Sequence, residues 1–389
     1  MGSDMHSYAE TQGQDGRRDE IREVISSFGL SGNECVRRYG NGHINDTYLL
    51  ESADRGKGMG EPLPCYILQR INRNVFVHPE DVAENVWKIT QYLQQAILQE
   101  GGDPSRQTLT VLPAKDGKPY VRDRSGEVWR LVHYISDSLS YEIADTPELF
   151  AASGEAFGHF QYYLRDFDSS GLVETIPDFH NTPKRYRRFE NAVSLDAAGR
   201  VRYVAKEIEQ IRMRSSVCSI LTDQIRSGAL RLGVTHNDTK LNNVLFDAKT
   251  GRPLCVIDLD TVMPGLAAYD FGDSIRFGAN HNLEDEQDLG RVEFDLPLYE
   301  AYAEGFLRGS GAIFEDRELQ SLAWGARIIT LEQAIRFLTD YLEGDCYYHT
   351  DREGQNLDRA RVQLKLLYGM EQEFGQMMAI LERAVRQDA

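Results

Sequence analysis

The sequence predicts an α+β protein with a small antiparallel β-rich N-terminal lobe and a larger, mainly helical C-terminal lobe. The chain has 389 residues; its first third alternates short β-rich runs with turns, and the remainder carries long segments of helical periodicity. A chain of this length exceeds one compact core, which favours two packed lobes. We expect a disordered polar tail over residues 1–20, a first lobe over 21–136 and a second over 137–389.

The N-terminal lobe is predicted to follow the order β-β-β-α-β-β. The β-rich runs CVRRYG and NDTYLLES flank the turn Gly40-Asn41-Gly42, and CYILQRI follows a glycine-rich loop. Residues 79–99 carry apolar residues near helical spacing, and Pro79 suits the first turn of a helix. The runs TLTVLPAK and KPYVRD are expected to pair around Asp116-Gly117, before a final strand in VWRLVHYI.

The C-terminal lobe is predicted to be helical with one short β-rich island. The island is LGVTHNDTKLNNVLFDAKTGRPLCVIDLDTV. Helical periodicity is found near residues 148–167, 201–227, 297–308, 316–343 and 358–386.

Composition excludes several classes of protein. The formal net charge of −18 disfavours binding to nucleic acid or to anionic membranes, and the basic cluster at residues 184–188 is interpreted as a solvated helix face. No apolar run reaches the length of a membrane helix, and the polar start lacks the apolar region of a signal peptide. The five cysteines include no C-x-x-C pair and are expected to be reduced. We therefore predict a cytoplasmic protein.

One group of polar residues in the β-rich island has the spacing of a catalytic site. Asp238 precedes Asn243 by five residues, and a second apolar strand ends at Asp258. Phosphoryl transfer needs a carboxylate to orient and deprotonate the attacking hydroxyl, and an amide and a second carboxylate to hold Mg²⁺ against a triphosphate. The competing interpretation is a connection rich in Asp and Asn whose side chains only cap turns. The complete pattern, with His236 bracing the loop, favours the catalytic interpretation.

THNDTKLNNVLFD, VIDLDTVMPG and YDFGDSIRFGA together resemble the aminoglycoside phosphotransferase-like kinases. Within that family, RYGNGHINDTYLL, YILQRIN and AIRFLTDYLEGDCYY are similar to the kinases of N-acetylhexosamines, so the resemblance covers residues 21–385. It implies a two-lobed protein kinase-like fold with ATP bound between the lobes. It also implies Mg²⁺-dependent phosphorylation of N-acetylglucosamine or N-acetylgalactosamine at the anomeric hydroxyl.

The resemblance also implies residue roles. Asp238 would be the catalytic base and would contact the sugar, with Asn243 and Asp258 as magnesium ligands. Gly40 and Gly42 would cover the phosphates through backbone N–H groups, although the G-x-G pattern alone favours a plain hairpin turn. The sugar-pocket candidates are His43, Asn45, Phe277, Arg336 and Tyr347. Four of them have structural alternatives: hydrogen bonds within the hairpin for His43 and Asn45, a core position for Phe277, and a salt bridge to Glu332 or Asp340 for Arg336.

The sequence departs from the usual kinase pattern in the third strand, where many kinases carry a lysine that binds phosphates. Here Gln69 and Arg70 occupy that place, so Arg70 is the candidate for the nucleotide, with Glu84 as a candidate partner. The enzymatic alternative is a kinase of the same fold for an aminoglycoside, choline, homoserine or methylthioribose. The other alternative is a pseudokinase that binds ligands without turnover, but the predicted base and both metal ligands are present. The sequence makes no prediction about oligomeric state.

Overall fold

The computed structural model describes residues 19–40, 44–52, 65–311 and 313–387. The chain divides into two compact units, Met1–Asp137 and Ser138–Ala389, which are described one at a time. The tail predicted for residues 1–20 falls outside the described residues as far as residue 18, and residues 19 and 20 are helical.

The first unit contains an antiparallel sheet of six strands in the order β1-β2-β3-β6-β4, with β5 also paired to β6. The strands are β1 Cys35–Arg38, β2 Asp46–Glu51, β3 Cys65–Arg70, β4 Val111–Leu112, β5 Val121–Arg122 and β6 Val128–His133. The predicted turn at Asp116-Gly117 forms, with Gly117 at φ +85°. The predicted pairing of the strands that flank it is wrong, because β4 and β5 both pair with β6. At two residues each, these strands are too short for a hairpin of their own.

The helices of the first unit are α1, described over residues 19–27, α2 Pro79–Gln99 and α3 Pro104–Gln107. Helix α2 matches its predicted bounds, begins at Pro79, and buries the apolar stripe Val82, Val86, Ile89, Leu93 and Ile97. The sequence analysis missed α1. Its side chains Val24 and Ile25 are buried in one cluster with Leu50 and Leu68 of the sheet. Helix α1 therefore belongs to the core of this unit.

The second unit is mainly helical, as predicted, but two long segments are interrupted. The helices are α4 Pro147–Leu164, α5 Thr182–Leu195, α6 Ala205–Arg212, α7 Ile220–Arg226, α8 Ala267–Gly278, α9 Leu296–Ser310, α10 Asp316–Glu343, α11 Gln355–Gln372 and α12 Phe374–Gln387. The predicted helix over 201–227 separates into α6 and α7 around Ser215 and Ser216, because serine is a weaker helix former than most residues of α6. The segment 358–386 divides between α11 and α12. Helix α8 was not predicted, because its two glycines weaken helix propensity.

The β-rich island forms as predicted and supplies the frame of the site. Its strands are β8 Gly233–Thr235, β9 Val244–Asp247, β10 Pro253–Val256 and β11 Met263–Gly265, and β7 Ser138–Leu139 joins them from the start of this unit. Strands β9 and β10 form an antiparallel hairpin, and β8 pairs with β11. The loop between β8 and β9 holds the residues of the predicted catalytic pattern.

Glycines let the helices of the second unit approach until their backbones touch. A Cβ on Gly325 of α10 would overlap the carbonyl oxygen of Ala268 in α8, and a Cβ on Gly272 of α8 would collide with the backbone of Gly325. Helices α4 and α9 cross in the same way at Gly154, Gly158, Gly305 and Gly309. Larger side chains at these crossings would force the helices apart. Within the described residues, no helix is both long and apolar enough to span a membrane.

Candidate active site

The loop from His236 to Asn243 is held by hydrogen bonds from α8. The Asp270 carboxylate accepts the backbone N–H groups of His236 at 2.9 Å and Asn237 at 2.8 Å, and Gln161 donates to it at 2.9 Å. Asp273, one turn further along α8, accepts the N–H of Thr239 at 3.1 Å. Loop N–H groups that would otherwise lack partners are thus satisfied by two buried carboxylates.

Asp270 is one of the least exposed carboxylates of this unit, at 1%. Burial raises its pKa to about 6, although the hydrogen bonds from the loop oppose the shift. His236 is also fully buried: its Nε2 lies 2.8 Å from the carbonyl oxygen of Ile257, and its ring packs edge-on against Phe157 and Phe160. The bracing role predicted for His236 agrees with these contacts.

Asp238 keeps a quarter of its side chain exposed, at 25%, while its buried neighbours fix its position. Lys240 Nζ lies 2.8 Å from Oδ1, and Asn243 Nδ2 donates to Oδ2 at 3.1 Å and to the Asp238 carbonyl at 2.8 Å. Burial alone would raise the pKa of Asp238, but the charge and hydrogen bond of Lys240, with help from Asn243, hold that pKa below its ordinary value. The carboxylate is therefore ionised at neutral pH and can accept a proton.

Lys240 is a site residue that the sequence analysis did not identify. Its ammonium pairs with Asp238 and lies 5.1 Å from the centre of the Phe277 ring. The sequence did contain a signal for Lys240. It lies two residues after the proposed base Asp238 in an extended loop, where its long side chain can reach back to the carboxylate. Phe277 itself is half-buried, and the Arg276 guanidinium lies 3.7 Å from its ring centre. Arg276 in turn pairs with Asp273 at 2.9 Å and with Glu284 at 2.8 Å.

Asn243 and Asp258 lie at the same end of the β9–β10 hairpin. Asn243 directly precedes β9, and its carbonyl accepts the N–H of Ile257 at 2.9 Å, while Asp258 is the next residue. Asp258 is exposed and left-handed, at φ +59°, which ends the strand and turns the chain. The pair is brought to one place in the fold, although neither residue is close in sequence to the other.

This pair fits a magnesium site by the chemistry of its donors. The amide nitrogen of Asn243 is committed to Asp238, so its amide oxygen is the atom offered to a cation, and Asp258 supplies a carboxylate at the same end of the hairpin. Mg²⁺ prefers oxygen ligands and usually keeps one or two protein groups, with phosphate and water completing its shell. Among the described residues, no three His, Cys, Asp or Glu side chains form a metal cluster.

A second cluster, the arginine cavity, lies between α5, α10 and the loop after α10. It is an open cavity lined on α10 by Arg336 and Asp340, on the loop by Tyr347 and Tyr348, and on α5 by Arg185 and Arg188. Two of the sugar-pocket candidates, Arg336 and Tyr347, therefore share one cavity. The basic cluster at 184–188, interpreted as a solvated helix face, is corrected in part, because Arg185 is half-buried here.

The salt bridge considered for Arg336 is wrong for both carboxylates. Asp340 accepts four N–H groups, from the backbone of Cys346, Tyr347 and Tyr348 and from Asn356. Glu332 faces His180 at 3.0 Å and accepts the Thr182 hydroxyl at 2.6 Å. Arg336 instead donates to the neutral Gln333 at 3.1 Å.

The remaining candidates belong to the first unit. Gly40 adopts φ +76°, a conformation that favours glycine, while Gly42 and His43 lie outside the described residues. The Asn45 side chain accepts the N–H of Asn72 at 3.0 Å, which ties the start of β2 to the end of β3. Arg70 pairs with Asp46, so the partner considered for it, Glu84, is replaced by a residue on the neighbouring strand.

Comparison with known proteins gives one family and a set of similar folds. Residues 36–305 match the model of the phosphotransferase enzyme family (APH). An aminoglycoside phosphotransferase from Alicyclobacillus acidocaldarius aligns with a TM-score of 0.58 at 16% identity, covering 94% of this chain and 96% of that one. A microcompartment-associated aminopropanol kinase gives 0.55 at 16% identity, covering 92% and 97%. A choline/ethanolamine kinase family protein from Mesorhizobium loti gives 0.52 at 16% identity, covering 93% and 98%.

At such identities the solved structures establish the fold, and the family model establishes the kind of enzyme. The antiparallel sheet of the first unit and the helices of the second confirm the predicted α+β class. Because the family model matches more than half of the sequence, this chain belongs to the phosphotransferase enzyme family (APH), with its kinase-like fold.

Proposed function

We propose that this protein is a kinase that transfers the γ-phosphoryl group of ATP to the anomeric O1 of N-acetylhexosamines, with Mg²⁺ as cofactor. The observation that carries the catalytic part is the Asp238 carboxylate, kept ionised by Lys240 and hydrogen-bonded to Asn243. A base of this kind, placed on a rigid loop, is what phosphoryl transfer to an alcohol requires. The proposed product is the sugar 1-phosphate, with ADP released.

In the proposed reaction, Asp238 orients the O1–H group and accepts its proton while O1 bonds to the γ-phosphorus. The bond from the γ-phosphorus to the bridging oxygen of ADP breaks, and its electron pair leaves with ADP. Mg²⁺ held by Asn243 and Asp258 would neutralise charge on the phosphate oxygens. Lys240, beside the base, supplies a further positive charge where the transferred group must pass.

The other roles are proposals on the same basis. We assign Gly40, Gly42 and Arg70 to the nucleotide, and His43, Asn45, Phe277, Arg336 and Tyr347 to the sugar. Arg70 would have to exchange its ion pair with Asp46 for a phosphate, or bind the phosphate while keeping that pair. Tyr347 is exposed, at 63%, and its ring could stack on a sugar face.

The chemistry of the arginine cavity favours a sugar over an amine as acceptor. The similar structures include kinases named for aminopropanol and for choline or ethanolamine, whose acceptors carry a positive charge. A cationic acceptor is stabilised by carboxylates, whereas this cavity is lined by Arg185, Arg188 and Arg336 and by one carboxylate, Asp340. That carboxylate is already hydrogen-bonded to backbone N–H groups. A polyhydroxylated neutral acceptor meets no such repulsion.

Phosphorus NMR of the protein with Mg-ATP and either N-acetylglucosamine or N-acetylgalactosamine tests this proposal. We expect ADP and a sugar phosphate whose phosphorus couples to the anomeric proton. A phosphate on another hydroxyl would contradict the position of transfer. The absence of any sugar-dependent product, with turnover on choline, homoserine or an aminoglycoside, would contradict the acceptor class and keep the catalytic assignment.

A further inference from the structure

The arginine cavity has a charge arrangement that a neutral sugar does not satisfy. Its lining includes Arg185 and Arg188 from α5 and Arg336 from α10, and it includes none of the proposed catalytic and metal residues. In a chain with a net charge of −18, a cavity lined by three arginines and one carboxylate is an exception to the general composition. The question is whether neighbouring groups already neutralise these side chains.

The nearby carboxylates are engaged elsewhere. Glu343 forms a two-point ion pair with Arg188, with N–O distances of 3.1 and 2.5 Å. Glu332 is bonded to Thr182 and faces His180, and Asp340 accepts three backbone N–H groups and the Asn356 amide. These acids lower the electrostatic potential of the region, but their oxygens are not the acceptors of the Arg185 and Arg336 guanidinium groups.

Among the described residues, Arg185 and Arg336 each donate one hydrogen bond, to a neutral acceptor. Arg185 Nη2 reaches the carbonyl oxygen of Phe179 at 3.3 Å, and its Nε is buried without an acceptor. Arg336 Nη1 reaches Gln333 at 3.1 Å, and its guanidinium lies 5.6 Å from the ring centres of Phe179 and Tyr348. Over the residues that the structure describes, neither side chain forms an ion pair with a carboxylate.

The charge of Arg336 opposes that of Arg185, while Tyr348, Glu332 and Tyr347 favour the charge of Arg336 and raise its pKa against the effect of burial. Burial and then the charge of Arg336 lower the pKa of Arg185. Each guanidinium has five N–H donors in a planar fork, so most of their donors are not used within the protein. An oxyanion between them would supply acceptors for both forks and remove the repulsion. Aromatic rings of Tyr347 and Tyr348 on the same cavity wall are suited to the face of a sugar ring.

We propose that the arginine cavity binds an anionic sugar, a sugar phosphate or sugar acid whose charged group is held by Arg185 and Arg336. The inference rests on the proposed function in one respect, the assumption that this cavity also receives the neutral acceptor. It has a consequence beyond that function: anionic sugars compete with the neutral acceptor and inhibit the kinase. Arg185, which the sequence analysis did not assign to any site, is the residue that separates anionic from neutral ligands.

The test is isothermal titration of the full chain, without ATP, at fixed ionic strength. The ligands are N-acetylglucosamine, N-acetylglucosamine 6-phosphate, whose charge is remote from O1, and orthophosphate. We expect the 6-phosphate to bind about tenfold more tightly than the neutral sugar, the gain typical of a hydrogen-bonded charge pair. Orthophosphate should bind at least about tenfold more weakly than the 6-phosphate, because it lacks the sugar ring.

Variants assign the effect to the cavity. Arg185→Gln should lose most of the gain for the 6-phosphate and leave the affinity for the neutral sugar within about twofold, since the neutral sugar has no charged group for the guanidinium to bind. Arg187→Gln is the matched control, because Arg187 lies on the same helix and is exposed. Arg185→Lys keeps the charge without the fork and should recover part of the affinity. Thermal melts of each variant check that the fold is retained.

Three results would overturn the proposal: equal affinity for the neutral and phosphorylated sugars, an Arg187→Gln variant as defective as Arg185→Gln, or orthophosphate binding as tightly as the 6-phosphate. The last would assign the cavity to the free ion. Failure of the proposed function gives a different pattern, in which N-acetylglucosamine is not phosphorylated while the 6-phosphate still binds. A wild-type titration alone decides the first and third results, so the test stands even where Arg185→Gln fails to fold.

Discussion

The catalytic loop and the arginine cavity differ in whether their charged and polar groups already have partners within the protein. In the loop, the N–H groups of His236, Asn237 and Thr239 are accepted by buried carboxylates of α8, and Asp238 already has its cationic partner. In the cavity, two guanidinium groups have no carboxylate partner among the described residues. The difference teaches that the proposed catalytic groups are positioned before any ligand binds, whereas the charges of the cavity would be balanced only by the ligand that we propose for it. Substitutions in the two regions should therefore fail in different ways.

The largest effect is expected at the base. Asp238→Asn removes the proton acceptor while keeping the shape of the side chain, so we expect kcat to fall by about 10³-fold with the KM for ATP little changed. A coupled assay of ADP release in the presence of sugar measures it. Asp223→Asn, an exposed carboxylate on α7, is the control and should retain full activity. Retention of wild-type kcat by Asp238→Asn would remove Asp238 from the chemistry.

The next effect tests whether the loop depends on α8. Asp270→Ala leaves the N–H groups of His236 and Asn237 and the Gln161 amide without their acceptor in a buried site. We expect the free energy of unfolding to fall by about 3 kcal/mol, since each unsatisfied buried donor is costly. Urea titration measures the change, with the exposed Asp166→Ala as control. A loss no greater than that of the control would show that the loop holds its shape without α8.

A smaller effect with a characteristic pH dependence is expected at Lys240. In the wild type, the pKa of Asp238 lies below its ordinary value, so kcat/KM should show no acid limb between about pH 5 and 7. Lys240→Met removes the charge that lowers this pKa, and the remaining burial raises it. The acid limb should then move to higher pH, and kcat should fall about tenfold at neutral pH because the transferred group loses a cation. An unshifted pH profile of kcat/KM would contradict the coupling.

The smallest effect belongs to the cavity and should change binding alone. Asp340→Asn turns a carboxylate that accepts the N–H groups of Cys346, Tyr347 and Tyr348 into an amide that can accept at one atom only. We expect the KM for the acceptor to rise about fivefold, with kcat and the KM for ATP unchanged, from the loss of about one charged hydrogen bond. Asp351→Asn, exposed in the same loop region, serves as control. A fall in kcat alone would place Asp340 with the chemistry instead.

The sequence predicted the fold class, and it predicted which residues of the proposed catalytic pattern lie together, because both depend on local pattern. Asp238, Asn243 and Asp258 follow one another along a hairpin, so their spacing alone brings them together. The roles of the site residues remain proposals. Arg185 could not be recognised, because whether a helix side chain is exposed or faces a cavity depends on the packing of α5 against α10, which is not encoded in the cluster of basic residues. Helix α8 was missed because its glycines lower helix propensity, while in the structure Gly272 allows close packing against α10.

Helix α10 connects the two regions as one stiff rod. Gly325 touches α8 beneath the catalytic loop, and Arg336 and Asp340 lie on the cavity three and four turns further on, in a helix of 28 residues that is about 42 Å long. Under the proposed function, selection for new acceptors would act on the side chains at the cavity end. At the crossing with α8, a methyl group added to Gly325 or Gly272 would overlap the facing backbone. The helix displacement needed to relieve that overlap would change both regions at once. Gly325 and Gly272 are thus the positions at which a library of variants should hold the chain constant.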